Sequence, residues 1–243
     1  MQRDQLFHAV YETLDAQHCA ICHLCVTGTR RFLDGFLYER VNDPWSRTAF
    51  IDARGFCPAH AWQLSTIFDC ATGIAIVYRH LLDEFHRAFV DLARAPALVA
   101  AGRRALPRSR ARRGSLARAV GAWLQPRRPC PACSDQWDGE DRYAWATAQA
   151  LPDQDFRTRY EGSLGLCLRH LVAVMRHVGR EASLRWLLET ERGLMERLVR
   201  DLEEFWRKHD YRFREEPMSD GERTAWRRVL HKVSGAPGMV WRG

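Results

Sequence analysis

Gly55-Phe56-Cys57-Pro58-Ala59-His60 returns in the second half of the chain as Gly165-Leu166-Cys167-Leu168-Arg169-His170. Each Cys-x-x-His is preceded by a Cys-x-x-Cys, read as Cys22-x-x-Cys25 in the first half and Cys130-x-x-Cys133 in the second. Positions 26–56 and 134–166 separate the paired motifs, so the two gaps are nearly equal in length. Three thiolates and one imidazole make a full tetrahedral shell for zinc. The same four ligand types in the same order twice point to a duplicated metal-binding architecture.

Local chemistry supports that reading. Gly55 supplies an unusual backbone angle, Pro58 suits the first position of a helix, and Cys57 then falls near the N-cap. His60 lies one turn further on the same face, so both side chains reach one ion. Cys130-Pro131-Ala132-Cys133 repeats the arrangement, with Pro131 opening a helix. Exposed N–H groups at a helix start favour the thiolate form. The expected ligand sets are therefore Cys22, Cys25, Cys57 and His60, and Cys130, Cys133, Cys167 and His170. A filled Cys3His shell is a structural site, because catalytic zinc keeps a position open for water. No catalytic residue is assigned.

Two overlapping motifs compete at the first site. Cys19-Ala20-Ile21-Cys22-His23 matches the attachment motif of c-type haem, but that chemistry belongs to exported proteins and the second half has no counterpart. Cys19, Cys22 and Cys25 also begin an iron–sulfur run, although Val26-Thr27-Gly28-Thr29 follows instead of the closing Cys-Pro. The repeat selects Cys22 and Cys25 over the registers that start at Cys19. An iron–sulfur cluster, with Cys57 or His60 as distant ligand, and thiol redox at Cys130/Cys133 stay open as alternatives. Cys70 has no partner in the pattern and reads as a core residue.

Around these motifs the 243-residue chain reads as all-α, with no period-2 strand pattern. Residues 3–17 place Leu6, Val10 and Leu14 on one face, and residues 73–92 place Ile74, Val77, Leu81, Phe85 and Phe89 at helical spacing. A long helix over 181–208 carries Leu184, Leu188, Met195, Leu198, Leu202 and Phe205, and a short one near 221–233 carries Trp226, Val229 and Val233. Asp43, in Asn42-Asp43-Pro44, is placed to cap the next helix. The expected organisation is a first metal-binding repeat at 1–92, an Arg-rich flexible linker at 93–129, a second repeat at 130–215, and a C-terminal helix and tail at 216–243.

Residues 92–134 hold ten Arg and no Asp or Glu, whereas the whole chain carries +7 and only two Lys, Lys208 and Lys232. That stretch lacks the interleaved aromatics of a nucleic-acid surface apart from Trp123, so nucleic-acid binding is only weakly supported. No apolar stretch is long enough to span a bilayer. The N-terminal residues lack a signal-peptide core, and the expected compartment is the cytoplasm, where thiols stay reduced. No phosphate loop, dinucleotide fingerprint or Ser–His–Asp set is legible.

Cys22-x-x-Cys25, Tyr38-Glu39-Arg40-Val41-Asn42-Asp43-Pro44, Arg54-Gly55-Phe56-Cys57-Pro58-x-His60-Ala61-Trp62 and Lys208-His209-Asp210-Tyr211-Arg212-Phe213 together resemble an uncharacterised prokaryotic family, domain of unknown function 6062. The resemblance spans nearly the whole chain apart from the linker and implies no assigned reaction. Cys19 and the Arg-rich linker look like departures from the family pattern. The expected function is a zinc-binding helical module, with two ions per chain, that engages a protein partner or a second copy. The rival is an iron–sulfur or thiol-redox protein.

Overall fold

The computed structural model describes residues 3–15, 17–94 and 117–242. The expected all-α class holds: the described residues form helices and no strand. In order these are α1 (Arg3–Thr13), α2 (Ala20–Tyr38), α3 (Pro44–Asp52), α4 (Pro58–Leu64), α5 (Ala71–Arg94), α6 (117–124), α7 (Pro131–Ala150), α8 (Gln154–Glu161), α9 (Leu168–Met175), α10 (Glu181–Arg207) and α11 (Asp220–Ser234). The series α2–α5 and α7–α10 follow the same order, and their starts keep the same spacing to within one position.

Chain contacts divide the molecule differently from two consecutive halves. One unit comprises Met1–Thr29 and Asp135–Gly243; the other comprises Arg30–Ser134. The chain passes from one to the other within α2 and returns within α7.

In the first unit, Leu6, Val10 and Leu14 of the N-terminal segment are buried as expected, with Phe156, Tyr160, Leu166, Leu171, Val174, Leu187 and Leu194. The buried face of α10 is rotated from the expected stripe. Leu187, Glu191, Leu194 and Leu198 point inward, whereas Leu188 is exposed. The reason is Glu191, a carboxylate in the middle of the inward face, which interrupts the apolar periodicity. On α11 the inward residues are Ala225 and Lys232, while Trp226 and Val233 are exposed. Ser219 and Glu222 form a capping box at its start.

In the second unit, Phe36, Phe50 and Phe56 form a mutually packed ring cluster, with centroids 5.0–5.6 Å apart, and Tyr78 stands edge-on to Phe50 at 5.2 Å. Val77 and Leu81 are the buried residues of α5. Asp43 caps α3 by accepting from Ser46 N at 2.7 Å, as expected, and Asp153 does the same for α8 from Phe156 N at 2.8 Å.

Most of the expected flexible linker, 95–116, lies outside the described residues. Its last part is anchored. Trp123 of α6 packs edge-on against Phe85 at 5.3 Å, and Arg54 lies over the Trp123 ring at 4.0 Å while donating to its carbonyl.

Candidate metal centres

All four Cys/His motifs sit at helix starts, and for one physical reason. The first ligand-type residue occupies the position just before the helix and the second occupies the third helical position. Both therefore face the unpaired N–H groups of the first turn. Cys57 is the N-cap of α4, with extended backbone (φ −62°, ψ 162°), and Cys167 is the N-cap of α9 (φ −68°, ψ 158°). Cys130 directly precedes α7, and Cys19 directly precedes α2. Gly55 and Gly165 take the positive φ values, 93° and 73°, that turn the chain into the two N-caps.

The structure gathers these side chains into two groups of four. Cys19, Cys22, Cys167 and His170 form one, within the first unit; Cys57, His60, Cys130 and Cys133 form the other, within the second. In each group the four candidate donor atoms lie within 4.8 Å of one another. The grouping differs from the sequence expectation in two ways. Cys19 stands where Cys25 was expected, and each Cys-x-x-Cys joins the Cys-x-x-His of the other half.

Both differences have physical causes. Cys25 lies beyond the first turn of α2, away from the free N–H groups, and is buried in the apolar core. Burial pushes its thiol up to about 12. The crossed pairing follows from helix length. The nineteen residues of α2 span about 28 Å, while the nine of α3 span only about 13 Å in any direction. A Cys-x-x-His that follows such a pair of helices does not come back to its own Cys-x-x-Cys. Cys70 is not a core residue either; it is half-buried, with its thiol 3.5 Å from the Ser65 carbonyl.

The fit of these groups to a single ion can be judged from their edges. A tetrahedral ion with bonds of about 2.3 Å to sulfur and about 2.05 Å to nitrogen has S···S edges of about 3.8 Å and S···N edges of about 3.6 Å. In the first group Cys22 and Cys167 Sγ are 3.7 Å apart, and His170 Nδ1 lies 3.4, 3.3 and 3.3 Å from the sulfurs of Cys19, Cys22 and Cys167. In the second, Cys57 and Cys133 Sγ are 3.6 Å apart, and His60 Nδ1 lies 3.3, 3.6 and 3.4 Å from Cys57, Cys130 and Cys133. One imidazole nitrogen has a single proton or a single lone pair, so it cannot hydrogen-bond to three sulfurs at once. Three sulfurs arranged about one nitrogen fit the shell of a common cation.

The electrostatics agree. Burial pushes the Cys19 thiol up, yet its contacts with Cys167, Cys22 and His170 outweigh that and hold it well below the ordinary value. Cys22 is raised by its contacts with Cys167 and Cys19 and by burial. In the second group the Cys133 contact holds Cys130 at about 4 against burial, with help from His60, while the same contact raises Cys133. One thiolate is favoured in each cluster and the next is opposed. A bound cation would remove that conflict.

The supports behind the two groups differ in chemistry. In the first unit the Glu191 carboxylate accepts from Leu166 N at 2.8 Å and from the Tyr160 hydroxyl, and pairs with Lys232. Lys232 also donates to the Leu164 carbonyl at 3.0 Å. This buried network fixes the turn that presents Cys167. In the second unit Phe50 takes the repeat position of Tyr160 and Leu81 that of Glu191, so neither the hydroxyl nor the carboxylate recurs at these positions, and Tyr78 instead stands edge-on to Phe50. The peptide just ahead of Cys167 is thus held by a buried carboxylate, whereas the repeat positions ahead of Cys57 are apolar. Behind the ring of His170 the Glu140 carboxylate lies 3.4 Å from Nε2, which makes no hydrogen bond among the described residues, so its charge faces the imidazole without fixing it.

The profile of the Family of unknown function (DUF6062) matches residues 7–238. The chain belongs to this family. A relative by sequence likeness is the "Uncharacterized 23.9 kDa protein in xynA 3'region" of Caldicellulosiruptor sp. (strain Rt8B.4). It is 26% identical over 226 residues, covering 92% of this chain and 98% of that protein. No solved structure matches the chain. The DUF6062 match includes all eight grouped residues. No helix among the described residues is long and apolar enough to cross a membrane.

Proposed function

We propose that the chain is a duplicated zinc-binding helical scaffold that holds two ions, one with Cys19, Cys22, Cys167 and His170 and one with Cys57, His60, Cys130 and Cys133. The observation that carries this reading is the position of each His Nδ1, 3.3–3.6 Å from three sulfurs at once. Each ion would join two helix starts that are distant in sequence, and its binding free energy would enter the folding free energy directly. Four protein ligands leave no position for substrate, so the role of the metal is structural. A single ion suits donor atoms this close; a cluster of several irons needs its thiolates further apart.

The thiols require a reducing compartment, consistent with the cytoplasm. Each unit carries its own exposed aromatics suited to binding a partner, Trp206 and Tyr211 on the first and Trp45, Trp62 and Phe68 on the second. Trp45, Trp62, Phe68, Trp206 and Tyr211 are all more than three-quarters exposed, and large exposed aromatics favour protein interfaces. Metal analysis and a visible spectrum of anaerobically purified protein test the reading. The expected result is two zinc per chain in a colourless sample. A coloured sample with iron and acid-labile sulfide would replace it with the iron–sulfur alternative.

A further inference from the structure

The two Cys/His groups differ in access to solvent. All four side chains of the first group are 0% exposed. The C-terminal tail covers them: the Trp241 ring lies 5.3 Å from the His170 ring, and a Cβ on Gly235 would stand 3.4 Å from Cys22 Sγ. The tail is tied down in turn, since Trp137 Nε1 donates to the Val240 carbonyl at 2.7 Å and Val240 N donates to Gln136 at 3.3 Å. In the second group His60 is sealed, but Cys57 is only half-buried and Cys130 is 9% exposed. Cys57 and Cys133 also have their sulfurs 3.6 Å apart.

We infer that the second group is a peroxide-responsive metal site, with Cys57 the sulfur that reacts first, and that the first group is a permanent one. The inference rests on the metal reading above. The chemistry needs a hydroperoxide as two-electron oxidant. The Cys57 thiolate attacks one peroxide oxygen; an S–O bond forms, the O–O bond breaks, and hydroxide leaves, giving a sulfenic acid. The Cys133 thiolate then attacks the Cys57 sulfur; the S–S bond forms and a second hydroxide leaves. Two sulfurs have given two electrons, and solvent protons convert both hydroxides to water. Cys130 and His60 remain, too few to hold the ion. In the first group no sulfur is open to the oxidant, so the same reaction is slower there. A thiol reductant reverses the disulfide and restores the site.

The full-length chain carrying two metal ions is treated with hydrogen peroxide in the presence of a chromogenic chelator, and its cysteines are then mapped by peptide mass spectrometry. One equivalent of metal is expected to leave at least about tenfold faster than the other, together with a Cys57–Cys133 disulfide, while Cys19, Cys22 and Cys167 stay reduced. Trp241→Ala, which uncovers the first group without replacing a ligand, is expected to speed release of the second equivalent. Simultaneous release from the unaltered chain, or oxidation of Cys19, Cys22 or Cys167 first, overturns the inference and leaves the metal reading standing. A chain purified with no metal overturns both.

Discussion

Gly165 shows how narrowly the first candidate site is built. Its φ of 73° is one that L side chains rarely adopt, and a Cβ there would stand 2.5 Å from Glu191 Oε1 and 2.7 Å from Leu194 Cδ1. Glu191 cannot swing aside, because Lys232, Tyr160 and Leu166 N hold it. Gly55 has a similar φ, but its nearest neighbour would be Leu81 Cδ2 at 3.2 Å. Gly165→Ala should therefore cost about 3 kcal/mol or more, combining backbone strain with overpacking, and Gly55→Ala about 1–2 kcal/mol. Urea titration of the two variants checks the order. The glycines, the N-cap cysteines and the histidines one turn on were all legible in the sequence, because a single turn of helix fixes them. The choice of Cys22 and Cys25 was not. Cys19, not Cys22, precedes Cys130 by nearly the offset that separates the two Cys-x-x-His motifs, and that offset is the signal in the sequence for the register the structure brings together.

At the level of elements, α11 is joined to the first unit partly through Lys232, which is buried against Glu191 and the Leu164 carbonyl. Ala225 of α11 packs with Leu164 and Leu198, and Arg228 pairs with Asp201 of α10. Removing one partner of a buried ion pair leaves the other charge uncompensated. Lys232→Met should lower stability by about 3–5 kcal/mol, whereas Tyr160→Phe, which leaves the pair intact, should cost only about 1–2 kcal/mol. Equal losses from both variants, read from thermal or urea unfolding, would contradict this assignment. The helices themselves were readable from period and capping signals, as at Asp43. The rotation of α10 was not, since a strict search for apolar residues passes over a buried glutamate and takes exposed Leu188 in its place.

For the whole molecule, the feature that sequence could not supply was which Cys-x-x-Cys meets which Cys-x-x-His. In a chain with two similar halves, both the consecutive and the crossed pairing satisfy the same motif spacing. The lengths of α2 and α3 favour the crossed one. The consequence is that each candidate site closes one unit rather than one half of the sequence: residues 1–29 are joined to 135–243, and residue 57 to residue 130. Removing metal with a strong chelator should accordingly loosen both units, and the loss should be partial when only one set of ligands is replaced.

The crossed pairing is tested most directly by counting metal in paired variants. Cys22 and Cys167 belong to one crossed set but to two different consecutive sets. The Cys22→Ala/Cys167→Ala double variant should therefore keep one ion per chain, held by Cys57, His60, Cys130 and Cys133. Cys22→Ala/Cys57→Ala should keep none. If the first double variant binds no metal and the second still binds one ion, the consecutive pairing is right and the crossed one is not.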